Sequence, residues 1–219
     1  MLITIGNTIH REYNEIVAEE SNITARAERV FRQRGGMLRT SQALKLGIHP
    51  RTLYEMRDAK RIVQLGRGLY RLADTMESEH LDLITVAMRV PDGVICLISA
   101  LSLHGITTEV PHEVYLAIRH GKEQPRLDYP PLRIFRFSDE TISAGVEKHK
   151  LEGVTVRLFS PAKTVADCFK FRHKTGVDVA VEALKLSLAR GKAKPAQILY
   201  YARLCRVERV IRPYLEALV

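Results

Sequence analysis

The sequence predicts an α+β protein: an N-terminal winged helix-turn-helix followed by a mixed α/β domain with a helical C-terminal part. Three observations carry that expectation. Between Arg39 and Asp58 a glycine turn joins two short helical stretches. Just beyond them, two apolar runs flank Gly66-Arg67-Gly68. Further on, three strand-length segments precede a chain end in which every apolar repeat from Ser160 is helical. With 219 residues, 46% hydrophobic and 27% charged, the chain has the composition of a globular protein with a core. No apolar stretch approaches the roughly 20 residues of a membrane span. The N-terminus has neither the positive flank nor the apolar region of a secretory signal, so a cytosolic protein is expected.

Residues 1–23 show no convincing period and are expected to form a flexible leader. From Ile23, the residues Ile23, Ala27, Val30 and Phe31 follow helical spacing, and Gly35-Gly36 closes that helix. A second helix spans 40–46 and stops at Gly47. A third begins at Pro50, where the missing N–H costs nothing. Ile62-Val63-Gln64-Leu65 and Leu69-Tyr70-Arg71-Leu72 form a hairpin, completing a domain over 24–74. Asp74 with Glu77 reads as a capping box opening the second domain, 75–219, and its first helix, which carries Leu81, Ile84, Ala87 and Met88. Residues 94–104 read most economically as a buried helix ending at Gly105, although the β-branched start also suits a strand. Strands are expected over 113–118, 132–137 and 154–159. Ser160-Pro161 caps a helix with Ala162, Val165, Ala166 and Phe169 on one face, and further helices span 177–190, 195–205 and 208–218.

Charge is distributed unevenly. Segments 1–23, 24–72, 73–150 and 151–219 carry −3, +9, −4 and +7, and the most basic block coincides with the helix-turn-helix. Two helices crossing steeply need a small residue at their contact, a glycine at the turn and apolar residues that seat the second helix on the first. Ala43, Gly47, Leu53 and Met56 fill those roles. His49, Arg51, Thr52, Tyr54 and Glu55 are then expected to face outward at the end that reads base edges in a major groove, with Arg51 the candidate for a bidentate guanine contact. Arg26, Arg29, Arg32, Lys45, Lys60 and Arg61 suit phosphates, and Arg67 at the wing tip suits a phosphate or a minor groove. Double-stranded DNA is the expected partner.

Catalysis is not expected. The chain lacks the spacing of a phosphate-cradling glycine loop, a Cys/His metal cluster or a helical His-Glu-x-x-His pair. Ser99, Ser102 and His104 do not aim at one another along a helix and have no orienting acid, so His104 reads as a core histidine. Asp167 with Lys170, and Asp178 with Glu182 and Lys185, read as helix-surface residues. Cys96, Cys168 and Cys205 fit neither disulfide nor metal spacing and are expected as buried thiols. No cofactor or metal is called for.

The segments Ser99-Ala100-Leu101-Ser102-Leu103-His104-Gly105, Gly153–Arg157, Ser160-Pro161-Ala162-Lys163-Thr164-Val165-Ala166-Asp167 and Tyr214-Leu215-Glu216-Ala217-Leu218 closely resemble the AbiEi family. Its members are antitoxins of abortive-infection, type IV toxin-antitoxin systems. The resemblance runs from Thr24 to Val219, and only the leader departs from it. It implies a cytosolic bacterial protein that represses its own operon by binding promoter DNA and counters a nucleotidyltransferase toxin, without necessarily forming a stable complex with it. The family brings no catalytic motif that maps onto this chain. Charge then points to Lys163, Lys170, Arg172 and Lys174 as the antitoxic surface. The alternative is a stand-alone winged-helix regulator whose second domain senses a ligand or mediates oligomerisation; a nuclease is a distant third.

Overall fold

The computed structural model describes residues 22–74 and 78–218, so the expected leader lies outside it up to residue 21. The chain divides into two compact units that meet between Ser78 and Glu79.

In the first unit, α1 (22–33) buries Ala27 and Phe31 and is stopped by Gly35 and Gly36, both in the left-handed region at φ 78° and 76°. Then follow β1 (Met37–Arg39), α2 (Thr40–Lys45), α3 (Pro50–Asp58), β2 (Ile62–Gly66) and β3 (Leu69–Leu72). The strands form one antiparallel sheet in the order β1-β3-β2. Ala43, Ile48, Leu53, Met56, Ile62, Tyr70 and Leu72 share a core with Ala27 and Phe31. The helix, turn, helix and hairpin all match the sequence expectation; β1, a three-residue strand, was not foreseen. The helix expected to open at Asp74 has His80 as its N-cap. It begins only at Leu81, and Asp74 instead accepts a hydrogen bond from Arg32 of α1. Glu77 lies outside the described residues.

The second unit is built on a five-stranded mixed sheet. Its elements are α4 (Leu81–Arg89), β4 (Val94–Ile95), α5 (Leu97–His104), β5 (Val114–Arg119), β6 (Leu132–Phe137), α6 (Asp139–Ser143), β7 (Val146–Leu151), β8 (Val154–Phe159), α7 (Pro161–Lys170), α8 (Arg172–Thr175), α9 (Val177–Ala189), α10 (Pro195–Leu204) and α11 (Glu208–Glu216). The strand order is β6-β5-β4-β8-β7. β4 runs antiparallel to β5 and parallel to β8, β5 and β6 are parallel, and β7 and β8 form an antiparallel hairpin. One layer of the core joins Val86 of α4 to Ile95, Leu116, Ile118, Val156 and Leu158. The other joins Ala117, Phe135, Phe137 and Phe159 to α5, α7, α9, α10 and α11.

The expected helix over 94–104 is corrected by this topology. Val94 and Ile95 are the central strand, hydrogen-bonded into the sheet on both sides, and the chain turns sharply through Leu97 at φ 47° into α5. Their β-branched side chains suit a fully buried strand. α7 also departs from expectation. It packs against α5, α9, α10 and α11, and every residue from Ala162 to Phe169 is buried. It is therefore a central helix and has no solvated face.

His104 closes α5 as a core histidine. Its Nε2–H donates to the Phe159 carbonyl at 2.7 Å, and burial lowers its pKa below the ordinary 6.5 despite that bond. A histidine whose folded pKa is depressed binds fewer protons folded than unfolded, so its contribution to stability is lost as pH falls below 6.5 toward the folded value. Unfolding measured across that window should show stability declining with acidification, and His104→Gln should flatten the decline. An unchanged slope in the variant would remove His104 as its source.

Candidate nucleic-acid interface

The first unit presents α3 by three local devices. Gly47 stands at φ 81°, and an added Cβ there would meet nothing within 4 Å, so the glycine is required by backbone conformation and not by space. Ile48 N–H then bonds back to Ala43 O at 2.9 Å, closing the turn over the buried Ala43. His49 caps α3, its Nδ1 accepting from Arg51 N–H at 3.2 Å, with Pro50 in the first turn. Leu53 and Met56, each 1% exposed, anchor the helix inward.

Arg51, Tyr54 and Glu55 face solvent as expected. The Arg51 Nε–H donates to Glu55 Oε1 at 2.7 Å, one turn along the helix, and Tyr54 is half exposed beneath the Arg57 guanidinium, 5.2 Å from its ring centroid. Thr52 does not join them. It is buried, because it lies four residues before Met56 and so shares that residue's inward face. His49 is exposed, but its Nδ1 is engaged by the cap, leaving only its other ring edge for a partner. Arg57 was not singled out from the sequence, although its three-residue spacing from Tyr54 was available as a signal.

The expected phosphate contacts divide into two groups. Arg26, Arg29, Lys45, Lys60 and Arg67 are exposed on α1, α2, the end of α3 and the wing tip. Arg61 and Arg32 are exposed but tied within the unit, Arg61 to Glu28 at 2.8 Å and Arg32 to Asp74. The wing tip is fastened to α2 by Thr40 N–H bonding to Gly68 O at 2.9 Å, with Gly68 at φ 70°. Lys60 holds φ 55° at the turn that ends α3, a conformation in which glycine is the ordinary choice.

In the second unit the expected basic face is partly overturned. Lys163 is fully buried, its Nζ 2.5 Å from the equally buried Asp167 Oδ2 and 4.1 Å from the Phe159 ring centroid. Asp167 also accepts from Cys205 Sγ at 3.3 Å. Neither residue is on the surface, because α7 is enclosed. Burial raises the Asp167 pKa above the ordinary carboxylate value and outweighs the opposing pull of Lys163. The three cysteines are buried free thiols, Cys205 pushed up to about 12 by burial. Ser99 is occupied too, accepting from Tyr115 N–H at 3.0 Å.

Beyond the enclosed part of α7, Lys170 and Arg172 are half-buried and Lys174 is exposed, with Lys170 and Lys174 set over the linked rings of Phe171 and Phe135. Arg133 of β6 joins them, its Nη2 donating to Lys174 O at 3.3 Å. No sequence signal pointed to Arg133, since strand pairing alone brings it there.

The comparisons bear on the first unit and on the fold. No curated protein matches the chain. A crystal structure of the RV2827C protein from Mycobacterium tuberculosis, 13% identical, matches with a TM-score of 0.53 over 89% of this chain and 81% of that one. The sequence model of a family described as a transcriptional regulator, AbiEi antitoxin, matches residues 25–73, which run from α1 through the wing. Over that stretch, and there alone, the chain is similar to a family of AbiEi antitoxin transcriptional regulators.

Proposed function

We propose that the chain is the antitoxin of a type IV toxin-antitoxin pair in the bacterial cytoplasm. In this reading the first unit binds the promoter of its own operon and represses it. The second opposes a nucleotidyltransferase toxin through Lys170, Arg172 and Lys174, without enzymatic activity of its own. The observation that carries it is the seated, capped α3 with Arg51 and Tyr54 outward, flanked by exposed Lys60 and Arg67, in a segment that matches an AbiEi regulator family. A net +9 over 24–72 supplies the electrostatic part of a duplex-binding surface. Ser99 and His104 are spent on structural hydrogen bonds, which supports a non-catalytic role. The test uses the full chain with a reporter driven by its own upstream DNA and, separately, co-expression with the neighbouring reading frame. Repression that depends on Arg51 and Arg67, and growth rescue that depends on the second unit, are expected. An unrepressed reporter would sink the repressor half, and toxicity unrelieved by co-expression the antitoxin half.

A further inference from the structure

We propose that the Lys170–Lys174 surface binds single-stranded nucleic acid. This deepens the reading of that face as the antitoxic surface, and rests on it for its biological place.

The run Phe169-Lys170-Phe171-Arg172-His173-Lys174 alternates aromatic and basic residues, and the structure shows what the alternation builds. Four rings lie in a row beneath this face, Tyr115, Phe135 and Phe137 buried in the core and Phe171 half-buried at its edge: Tyr115 stacks on Phe135 with centroids 5.8 Å apart, and Phe171 meets Phe135 at 5.0 Å and Phe137 at 5.3 Å. Cations sit on that row. Arg133 lies over Tyr115 at 5.5 Å, Lys174 over Phe135 at 5.6 Å, and Lys170 between Phe137 at 5.4 Å and Phe171 at 5.6 Å. Arg172 is held by donating to Phe169 O at 2.9 Å.

Arg133 is also paired with Glu113 at 3.3 Å, whereas contact with aromatic faces orients Lys170 and Lys174 without neutralising them. Among the described residues Lys170, Arg172 and Lys174 have no carboxylate within ion-pairing distance, and the nearby Asp167 is buried with its own partner, Lys163. Oriented, unneutralised cations suit phosphates. Phe171 is only half-buried and His173 is exposed, so flat rings accompany the charges at the surface. A duplex hides the faces of its bases from such rings, whereas a single strand can lay a base on them while its phosphates meet the lysines.

The test is fluorescence anisotropy of the full-length protein with a labelled oligouridylate, the matching oligothymidylate and a duplex of scrambled sequence, over a series of KCl concentrations. In the Arg51→Ala, Arg67→Ala variant, whose first unit is weakened toward duplex, both single strands should bind in preference to that duplex, and the tighter of the two names RNA or DNA as the source. Combined Lys170→Gln, Arg172→Gln and Lys174→Gln should weaken single-strand binding and flatten the salt slope by about 2, at about 0.7 for each phosphate left without its cation. His173→Ala should weaken binding about fivefold or more with an unchanged slope. Arg51→Ala with Arg67→Ala should leave it intact. If circular dichroism shows the triple variant misfolded, Lys174→Gln alone, at an exposed position, should still flatten the slope by about 0.7. The proposal is overturned by wild-type protein that binds no single strand, by variants of this face that bind unchanged, or by binding that disappears with the first-unit pair. The antitoxic reading fails separately: it falls if the triple variant still rescues growth, whatever the anisotropy shows.

Discussion

Replacing Lys163 by methionine is expected to destabilise the second unit by about 3–5 kcal/mol, the largest single effect anticipated in this chain. The ammonium lies among Phe137, Phe159 and Asp167 with no exposed surface, and its removal leaves the Asp167 carboxylate buried, with the Cys205 thiol as its one remaining side-chain donor among the described residues. Asp167→Leu alone should cost a similar amount by stranding the ammonium. The double variant, Lys163→Met with Asp167→Leu, should lie close to wild type or above it, because well-packed apolar groups commonly replace a buried ion pair without loss. Denaturant unfolding of the three variants measures this, and additive single losses would show that the two residues do not act as a pair. The pH dependence gives a second check. Burial already holds Asp167 above its ordinary pKa, and loss of Lys163 raises it further. An acid with a raised folded pKa favours the folded state at low pH and loses that contribution as pH rises from 3.8 through the folded value. Lys163→Met should therefore be least destabilising in acid, where Asp167 takes up a proton.

That pair also marks where sequence reading stops. Ser160-Pro161 correctly announced α7, and the apolar face through Val165 and Phe169 correctly pointed inward. Lys163 then read as part of an exposed basic face and Asp167 as a helix-surface residue beside Lys170, because charged side chains are almost always solvated. What buries them is the wrapping of α5, α9, α10 and α11 around one helix, a tertiary fact with no local signature. The edge strand β7 was missed for a related reason: Val146-Glu147-Lys148-His149-Lys150-Leu151 is charged and pairs on one side only, as edge strands do. β4 was hidden by its length of two residues, with helix α5 following at once.

The winged helix was more legible because its determinants are local. Ala43, Gly47, Pro50 and Gly68 each act within a few residues of themselves, and their roles follow from backbone geometry. Thr52 failed there only because its four-residue spacing from Met56 was not followed through. In the second unit the surface cations at 170, 172 and 174 were found from the sequence, but Arg133 reaches them across the sheet from 37 residues before Lys170.

Within the promoter-binding reading, Arg51→Ala should cost about 1–3 kcal/mol in operator affinity and relax preference at one base pair. The helix geometry supports that assignment, since Arg51 is in the first turn of α3, its side chain is 78% exposed, and Leu53 and Met56 fix which face is outward. The partner Glu55 holds the guanidinium along the helix in the absence of DNA, so binding a guanine exchanges one charged contact for another. Glu55→Ala should accordingly alter affinity less than Arg51→Ala. Lys60 supplies the contrast. Lys60→Gly relieves the strain of φ 55° and leaves the fold intact, while removing one cation from the phosphate backbone. It should weaken every sequence alike and reduce the salt slope by about 0.9. Gel-shift titrations against the operator and single-base-pair variants, repeated over a range of salt, separate the two behaviours. If Arg51→Ala lowered all affinities equally and Lys60→Gly changed preference at one position, α3 would lie in the groove in another orientation, with its C-terminal turn and not its first turn at the bases.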